Sequence, residues 1–383
     1  MDSDSLLQEC VQFAQRLIRT PSMSGEESAI AALVADELRR LDYDEVWSDP
    51  AGNVFGRVYG RDRSLPALVL NTHLDHVDPG DPALWPVPPF AAEIRDGRLI
   101  GRGASDIKGP MAVQVYSPVA LLRAGERPRR DMVFCGVTQE EVGGAGAIYW
   151  VKHLNYPVEL VVLGEPSANT LALGHRGIIQ FWLTFHGRSA HASAPERAEN
   201  PNYAMATFLS RLQTAASELT AHPVLGPTTV SPTIVEVDTT SGNVTPAWTR
   251  VLLDFRTASE SPNSLQAFIA RLAGGSPYSL AYDDGLESKP VPPSDEIVTG
   301  FYLSPDDPLV TRARAALGRG MGREPDLTRY RFATDGRHFA PYGIPVVGFA
   351  PGEEEMAHVA GESIVIDQMG ESQRSHAQLL REF

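Results

Sequence analysis

Four short unbroken apolar runs punctuate the chain: residues 67–71 (ALVLN), 132–137 (MVFCGV), 160–163 (LVVL) and 344–349 (IPVVGF). Each is bounded by turn or polar residues. Runs of this length suit strands buried on both faces, as in a mostly parallel sheet between helix layers. Residues 5–18 and 25–40 place their apolar residues at helical spacing. The second of these has acids early and arginines late, as the helix dipole favours. Helices are also expected over 110–124, with a proline in the first turn, and over 144–153.

The middle of the chain reads differently. Residues 177–187, 228–237, 248–256 and 278–282 are strand-like, and 200–219 and 261–272 are helical. That order is β-α-β-β-α-β, a split βαβ sandwich. The expectation is an α/β domain of residues 1–172 and 293–383, interrupted by an α+β insert over 173–292. The Pro- and Ser-rich stretch 288–296 reads as the return linker.

Composition narrows the function classes. The chain has 383 residues, 43% hydrophobic and 21% charged, with a net charge of −15. Such a surface repels phosphate backbones, so nucleic acid is not an expected partner, whereas an acidic cleft suits divalent cations. No apolar run reaches the ~18 residues of a membrane span. The opening MDSDSLLQEC lacks the basic-then-apolar order of a signal peptide. Two distant cysteines, Cys10 and Cys135, form no CxxC pair. A cytoplasmic protein without membrane contact is expected.

The chemistry sits where the buried runs end. Thr72-His73-Leu74-Asp75 follows the first, Thr138-Gln139-Glu140-Glu141 the second, and Gly164-Glu165-Pro166 the third. A loop leading to Ala357-His358 follows the last, and GRGASDIKG places Asp106 between the first two. In open α/β sheets ligands bind at the carboxyl ends of strands. Five carboxylates and two histidines therefore converge on one edge. The carboxylates would repel one another, and several would have to take up protons. Two divalent cations would neutralise four of the five charges. Imidazole and carboxylate donors without thiolate fit Zn²⁺, with Co²⁺ or Mn²⁺ as alternatives. About three protein ligands per ion leave room for water. Two histidines, two glutamates and one shared aspartate meet that count, and one carboxylate must remain free as general base.

The runs HLDHVDPG, GRGASDIKG, TQEEVGG, GEPS and AHVAGES together resemble the M20 metallo-aminoacylase/peptidase family. Acetylornithine deacetylases, succinyl-diaminopimelate desuccinylases and glutamate carboxypeptidases belong to that family. The resemblance implies that His73 and Glu165 hold one metal, and His358 and Glu141 the other, with Asp106 bridging. It implies Glu140 as general base and Asp75 as the acid orienting the His73 ring. The insert resembles the family's lid and dimerisation domain, so a homodimer through the lid is expected. His191, in GRSAHASAPE, resembles the oxyanion-stabilising histidine. Asn243, in SGNVTPA, and Arg256, in LDFRT, resemble substrate-contacting positions, and a guanidinium suits a carboxylate. The run Phe332–His338 departs from the family's Gly-Thr-Asp pattern, and residues 78–90 read as a long rim insertion.

Each residue also has a plainer reading. Asp106 could cap the following helix, Glu140-Glu141 could be a solvated pair at a helix start, and Arg256 could be a surface ion pair. His76 lies between two aspartates, but the motif uses the first histidine, so it is not counted as a ligand. A serine nucleophile elbow, a phosphate loop and a full dinucleotide loop are all absent from the sequence. The expected enzyme is a two-metal hydrolase cleaving the amide bond of a small N-acyl amino acid. A carboxypeptidase or dipeptidase on the same site is the alternative, and a non-catalytic metal-binding protein is a third.

Overall fold

A computed structural model describes residues 3–283, 288–290 and 300–383. Helices α1 (Ser3–Ile18) and α2 (Ser28–Arg40) precede strands β1 (Glu45–Ser48), β2 (Val54–Val58) and β3 (Ala67–His73). Helices α3 (Gly109–Tyr116) and α4 (Val119–Arg123) lead to β4 (Met132–Val137), α5 (Ala145–Lys152), β5 (Val158–Leu163) and β6 (Leu171–His175). The middle comprises β7 (Gly177–His186), α6 (Pro201–Ala215), β8 (Thr229–Val237), β9 (Trp248–Thr257), α7 (Pro262–Ala273) and β10 (Tyr278–Asp283). Last come β11 (Phe301–Tyr302), α8 (Pro308–Met321), β12 (Leu327–Tyr330), β13 (Val346–Gly348) and α9 (Ile366–Glu382).

The chain divides into two compact units. One comprises Met1–Gly174, Tyr302–Tyr330 and Thr334–Phe383; the other comprises His175–Phe301 and Arg331–Ala333. The boundary expected at 292–293 lies outside the described residues.

The first unit carries a sheet of order β1-β2-β4-β3-β5-β13-β6-β11, with β12 against β6. Its centre, β4-β3-β5-β13, is parallel. The four apolar runs of the sequence supply these four strands. Leu68 and Leu70 of β3 face a cluster that includes Leu17 of α1, Leu38 of α2, Met111 of α3 and Leu379 of α9. Val69 points to the opposite face by strand alternation and is fully buried too. There Trp150 of α5 meets Phe339 edge-on at 5.0 Å between ring centres. Burial on both faces explains why the runs lack alternation. No described helix is long and apolar enough to cross a membrane.

The helix expected over 110–124 is broken in two. Pro118 falls between α3 and α4, where it has no N–H to give the helix ladder. The first three residues read as linker, Ser288–Pro290, form instead a short strand antiparallel to β10. The remainder of that stretch, 291–296, lies outside the described residues.

The second unit has a five-stranded antiparallel sheet of order β8-β9-β7-β10 and Ser288–Pro290. Phe181, Phe185, Phe208, Leu212, Phe255 and Ile269 form its core with α6 and α7. Helix α7 begins with a capping box, in which the Ser261 hydroxyl accepts from the Ser264 N–H and Ser264 reaches back.

Candidate metal centre

His73 is the last residue of β3, so it emerges at the carboxyl edge of the parallel centre. Its Nδ1 faces the Asp75 carbonyl oxygen at 3.0 Å and Asp75 Oδ1 at 3.3 Å. A proton on Nδ1 is thereby held, and Nε2 is turned towards the other acids. Nε2 is 3.0 Å from Asp106 Oδ1 and 3.9 Å from Glu165 Oε1. The second Asp106 oxygen, Oδ2, lies 3.3 Å from His358 Nε2. That nitrogen is also 3.1 Å from Glu141. One aspartate thus presents one oxygen to each histidine.

Asp106 does not cap a helix. Lys108, not Asp106, stands at the cap position of α3, and no side chain caps that helix. The Asp106 carboxylate faces the histidines instead. Gln139, at φ 59°, and His358, at φ 61°, adopt left-handed backbone conformations that turn their neighbours into the cleft. Gly143 and Gly144 also have positive φ, and let the chain reverse after the two glutamates before α5 begins.

Asp75 is fully buried and acts as a hub. It accepts hydrogen bonds from the Ser24 hydroxyl at 2.7 Å, the Glu140 N–H at 3.1 Å and the Glu141 N–H at 3.2 Å. It therefore orients the His73 ring and anchors the main chain of both glutamates. Burial pushes its pKa up, but the His73 partnership and these donors hold it below the ordinary carboxylate value. Nothing in the sequence marks Ser24, since an isolated serine in a loop has no periodic signature. Glu27, at the start of α2, accepts from the Gln139 N–H and braces the same turn.

The electrostatics follow from crowding. Burial and the neighbouring Asp335 carboxylate push Glu140 well above its ordinary value. Glu165 is raised by burial and by Asp106 and Glu140, against the pull of His73. Glu141 is raised by burial despite its bond to His358. Burial opposes a charged His73, but Asp106 and Asp75 outweigh it and raise the ring well above its ordinary value. His358 is raised to about 10 by Asp106 and Glu141. Asp106 is buried, yet its two histidines hold it low.

Groups able to hold a metal ion are present. The ligand atoms of His73, Asp106 and Glu141 lie within 4.8 Å of one another, as do those of His73, Glu140 and Glu165. The nitrogen and oxygen donors fit a divalent ion of borderline softness.

Other residues find different surroundings. The buried His76 ring accepts the Ser22 N–H at Nε2 and faces the Val77 carbonyl through Nδ1, so neither nitrogen is offered as a ligand. The departing loop places Asp335 in the interior beside Glu140, where burial pushes it up to about 7. In the second unit, Ala190–His191 pairs with Val244–Thr245, which brings His191 and Asn243 close in the fold. The Ser193 N–H donates to His191 Nδ1, leaving Nε2 to carry a proton. Both His191 and Asn243 are exposed. Arg256 donates to both oxygens of Asp254, two residues before it on β9.

The family model for peptidase family M20/M25/M40 matches residues 69–382. A succinyl-diaminopimelate desuccinylase of Methylorubrum extorquens is 31% identical over 363 residues, covering 88% of this chain and 89% of that protein. The uncharacterized protein YgeY of Escherichia coli is 28% identical, covering 92% and 89%. The fold is similar to that of aminopeptidase PepT from Bacillus cereus, at a TM-score of 0.77 and 18% identity over 99% of this chain and 98% of that one. It is also similar to YXEP of Bacillus subtilis, described as a dinuclear metal-binding peptidase, at 0.72 and 16% over 98% of each chain. The chain belongs to peptidase family M20/M25/M40 and is a metal-dependent hydrolase acting on amide bonds.

Proposed function

We propose that this protein is a two-metal deacylase that removes the acyl group from a small N-acyl amino acid. One observation carries the reading: the Asp106 carboxylate is split between two imidazoles, at 3.0 and 3.3 Å. Desuccinylase relatives at about this identity support an N-acyl substrate. His73 and Glu165 would hold one ion, His358 and Glu141 the other, with Asp106 shared. Zn²⁺ suits the donors best, and Co²⁺ or Mn²⁺ would also fit. Such ions, when bound, polarise the scissile carbonyl and make water more acidic.

The protein's own residues divide the remaining work. Glu140 accepts the proton of the attacking water and returns it to the leaving nitrogen, and Asp75 supports it by fixing its backbone. His191, with a proton on Nε2, is suited to stabilise the developing oxyanion. Asn243 and Arg256 are assigned to the substrate, Arg256 through a guanidinium that an incoming carboxylate would share with Asp254.

The test is amide hydrolysis across N-acetyl, N-succinyl and N-formyl amino acids and dipeptides. Chelated enzyme is assayed with and without added Zn²⁺, Co²⁺ or Mn²⁺. Metal-dependent turnover of one N-acyl class is expected. Turnover of dipeptides alone would replace the deacylase reading with the peptidase one, and the absence of bound metal would remove both.

We also propose a homodimer through the second unit. Strand β8 lies at the edge of its sheet among the described residues, and Ile234, Val235 and Val237 on it are 44%, 58% and 42% exposed. An open edge bearing apolar side chains is a template for pairing with another strand. Sedimentation equilibrium should give twice the chain mass, and Val235→Lys should shift the protein to monomer. A monomeric parent at micromolar concentration would refute the dimer.

A further inference from the structure

Glu362 lies four residues after His358 and is wholly buried. Its acceptors are all spent on one short stretch of chain. Oε1 accepts the Ser105 N–H at 2.8 Å and the Asp106 N–H at 2.9 Å. Oε2 accepts the Gly103 N–H at 2.9 Å and the Arg102 guanidinium at 2.7 Å. These donors all come from residues 102–106. Asp106 itself has non-helical backbone angles. Its N–H is therefore satisfied by this carboxylate rather than by a helix ladder.

We infer that Glu362 is the positioning residue for Asp106, setting through three backbone N–H groups where its two oxygens point. The inference rests on the reading of Asp106 as a shared metal ligand. Both Asp106 oxygens have a partner at close to hydrogen-bond distance, so a shift of about 1 Å in the loop would lose one of them. Glu362 and His358 also share one segment, so a single carboxylate ties the loop of one ligand to the segment of another. Arg102 neutralises the buried charge and extends the tie outward. Its guanidinium lies 5.2 Å from the centre of the Trp85 ring and donates to the Asp78 carbonyl at 3.3 Å. The insertion over residues 78–90 is thus anchored to the group that holds Asp106.

Glu362→Gln tests this. The amide oxygen can still serve two N–H groups, but the amide nitrogen then opposes the Gly103 N–H and Arg102, donor against donor. Zn²⁺ titration calorimetry on chelated full-length protein should show the second ion weakened ~10–100-fold, as for losses of groups that orient ligands. kcat should fall with KM nearly unchanged, and the cobalt-substituted variant should lose the magnetic coupling between its two ions. Two ions bound with parental affinity and a parental cobalt spectrum would overturn the inference. A parent that binds no metal overturns the two-metal reading along with it. Two ions in the parent and an unaltered variant overturn the positioning role alone. Should Glu362→Gln not fold, amide hydrogen exchange in the metal-free parent decides the matter. Gly103, Ser105 and Asp106 should exchange slowly, and exchange at the rate of an open loop refutes the clamp.

Discussion

Glu140→Gln should bind two metal ions and lose turnover by about 10²–10⁴-fold, the usual range for removing a general base. The substitution is nearly isosteric. The Glu140 main chain is held by Asp75, whose bonds to the two backbone N–H groups do not involve the Glu140 side chain. The metal groups should therefore form as in the parent. What is lost is a group able to accept a proton from water. The proton is needed again at the leaving nitrogen, so kcat falls with little change in KM. Metal content by elemental analysis, with kcat on the best substrate of the panel, checks both halves. A variant that turns over like the parent would move the base to another residue. A variant that binds no metal would make Glu140 a ligand.

Removing the metal should abolish activity and leave a protein whose stability falls as pH rises. Without metal, the folded cluster holds protons that the unfolded chain would release. Glu140, Glu141 and Glu165 are raised above 4.5, so the stability they contribute is full below that value and is lost as pH rises. Asp335, raised from 3.8 to about 7, acts the same way. His73 and His358 contribute stability that is full below 6.5; for His358 it is lost as pH climbs towards about 10. Asp75 and Asp106 are lowered, and oppose this trend only below about 3.8. The Tm of chelated protein should therefore fall from about pH 5 to about pH 9. Each pKa unit carries about 1.4 kcal/mol. Metal ligands must be deprotonated, so the stabilisation gained on adding Zn²⁺ should grow over the same range. Thermal unfolding with and without Zn²⁺ reads both curves. A chelated protein that gains stability as pH rises, or that keeps its activity, would contradict the prediction.

The sequence was most legible where a local pattern and a spatial consequence coincide. Apolar runs without alternation identify strands buried on both faces, and a parallel sheet brings the residues after those runs to one edge. That is why the sequence alone groups His73, Glu140, Glu141 and Glu165. Proline at 118 was visible too, yet helical spacing on either side of it read as one helix rather than α3 and α4. The Asp106 turn was harder. An aspartate just before a helix also reads as a cap, and the structure turns its carboxylate to two imidazoles with no cap hydrogen bond.

By itself the sequence determined the fold class, the strand ends that carry chemistry, and a surplus of acids that calls for divalent cations. These depend on periodicity and residue type, which neighbours along the chain express directly. The tertiary structure alone decided how those residues are held. Ser24 meets Asp75 across 51 positions, and Glu362 meets the Asp106 N–H across 256. It decided that His76 is spent on backbone partners, that Arg256 is engaged by Asp254, and that one Asp106 oxygen faces each histidine. Hydrogen bonds of this kind join residues that folding brings together, and nothing in the local spacing of either partner records the other.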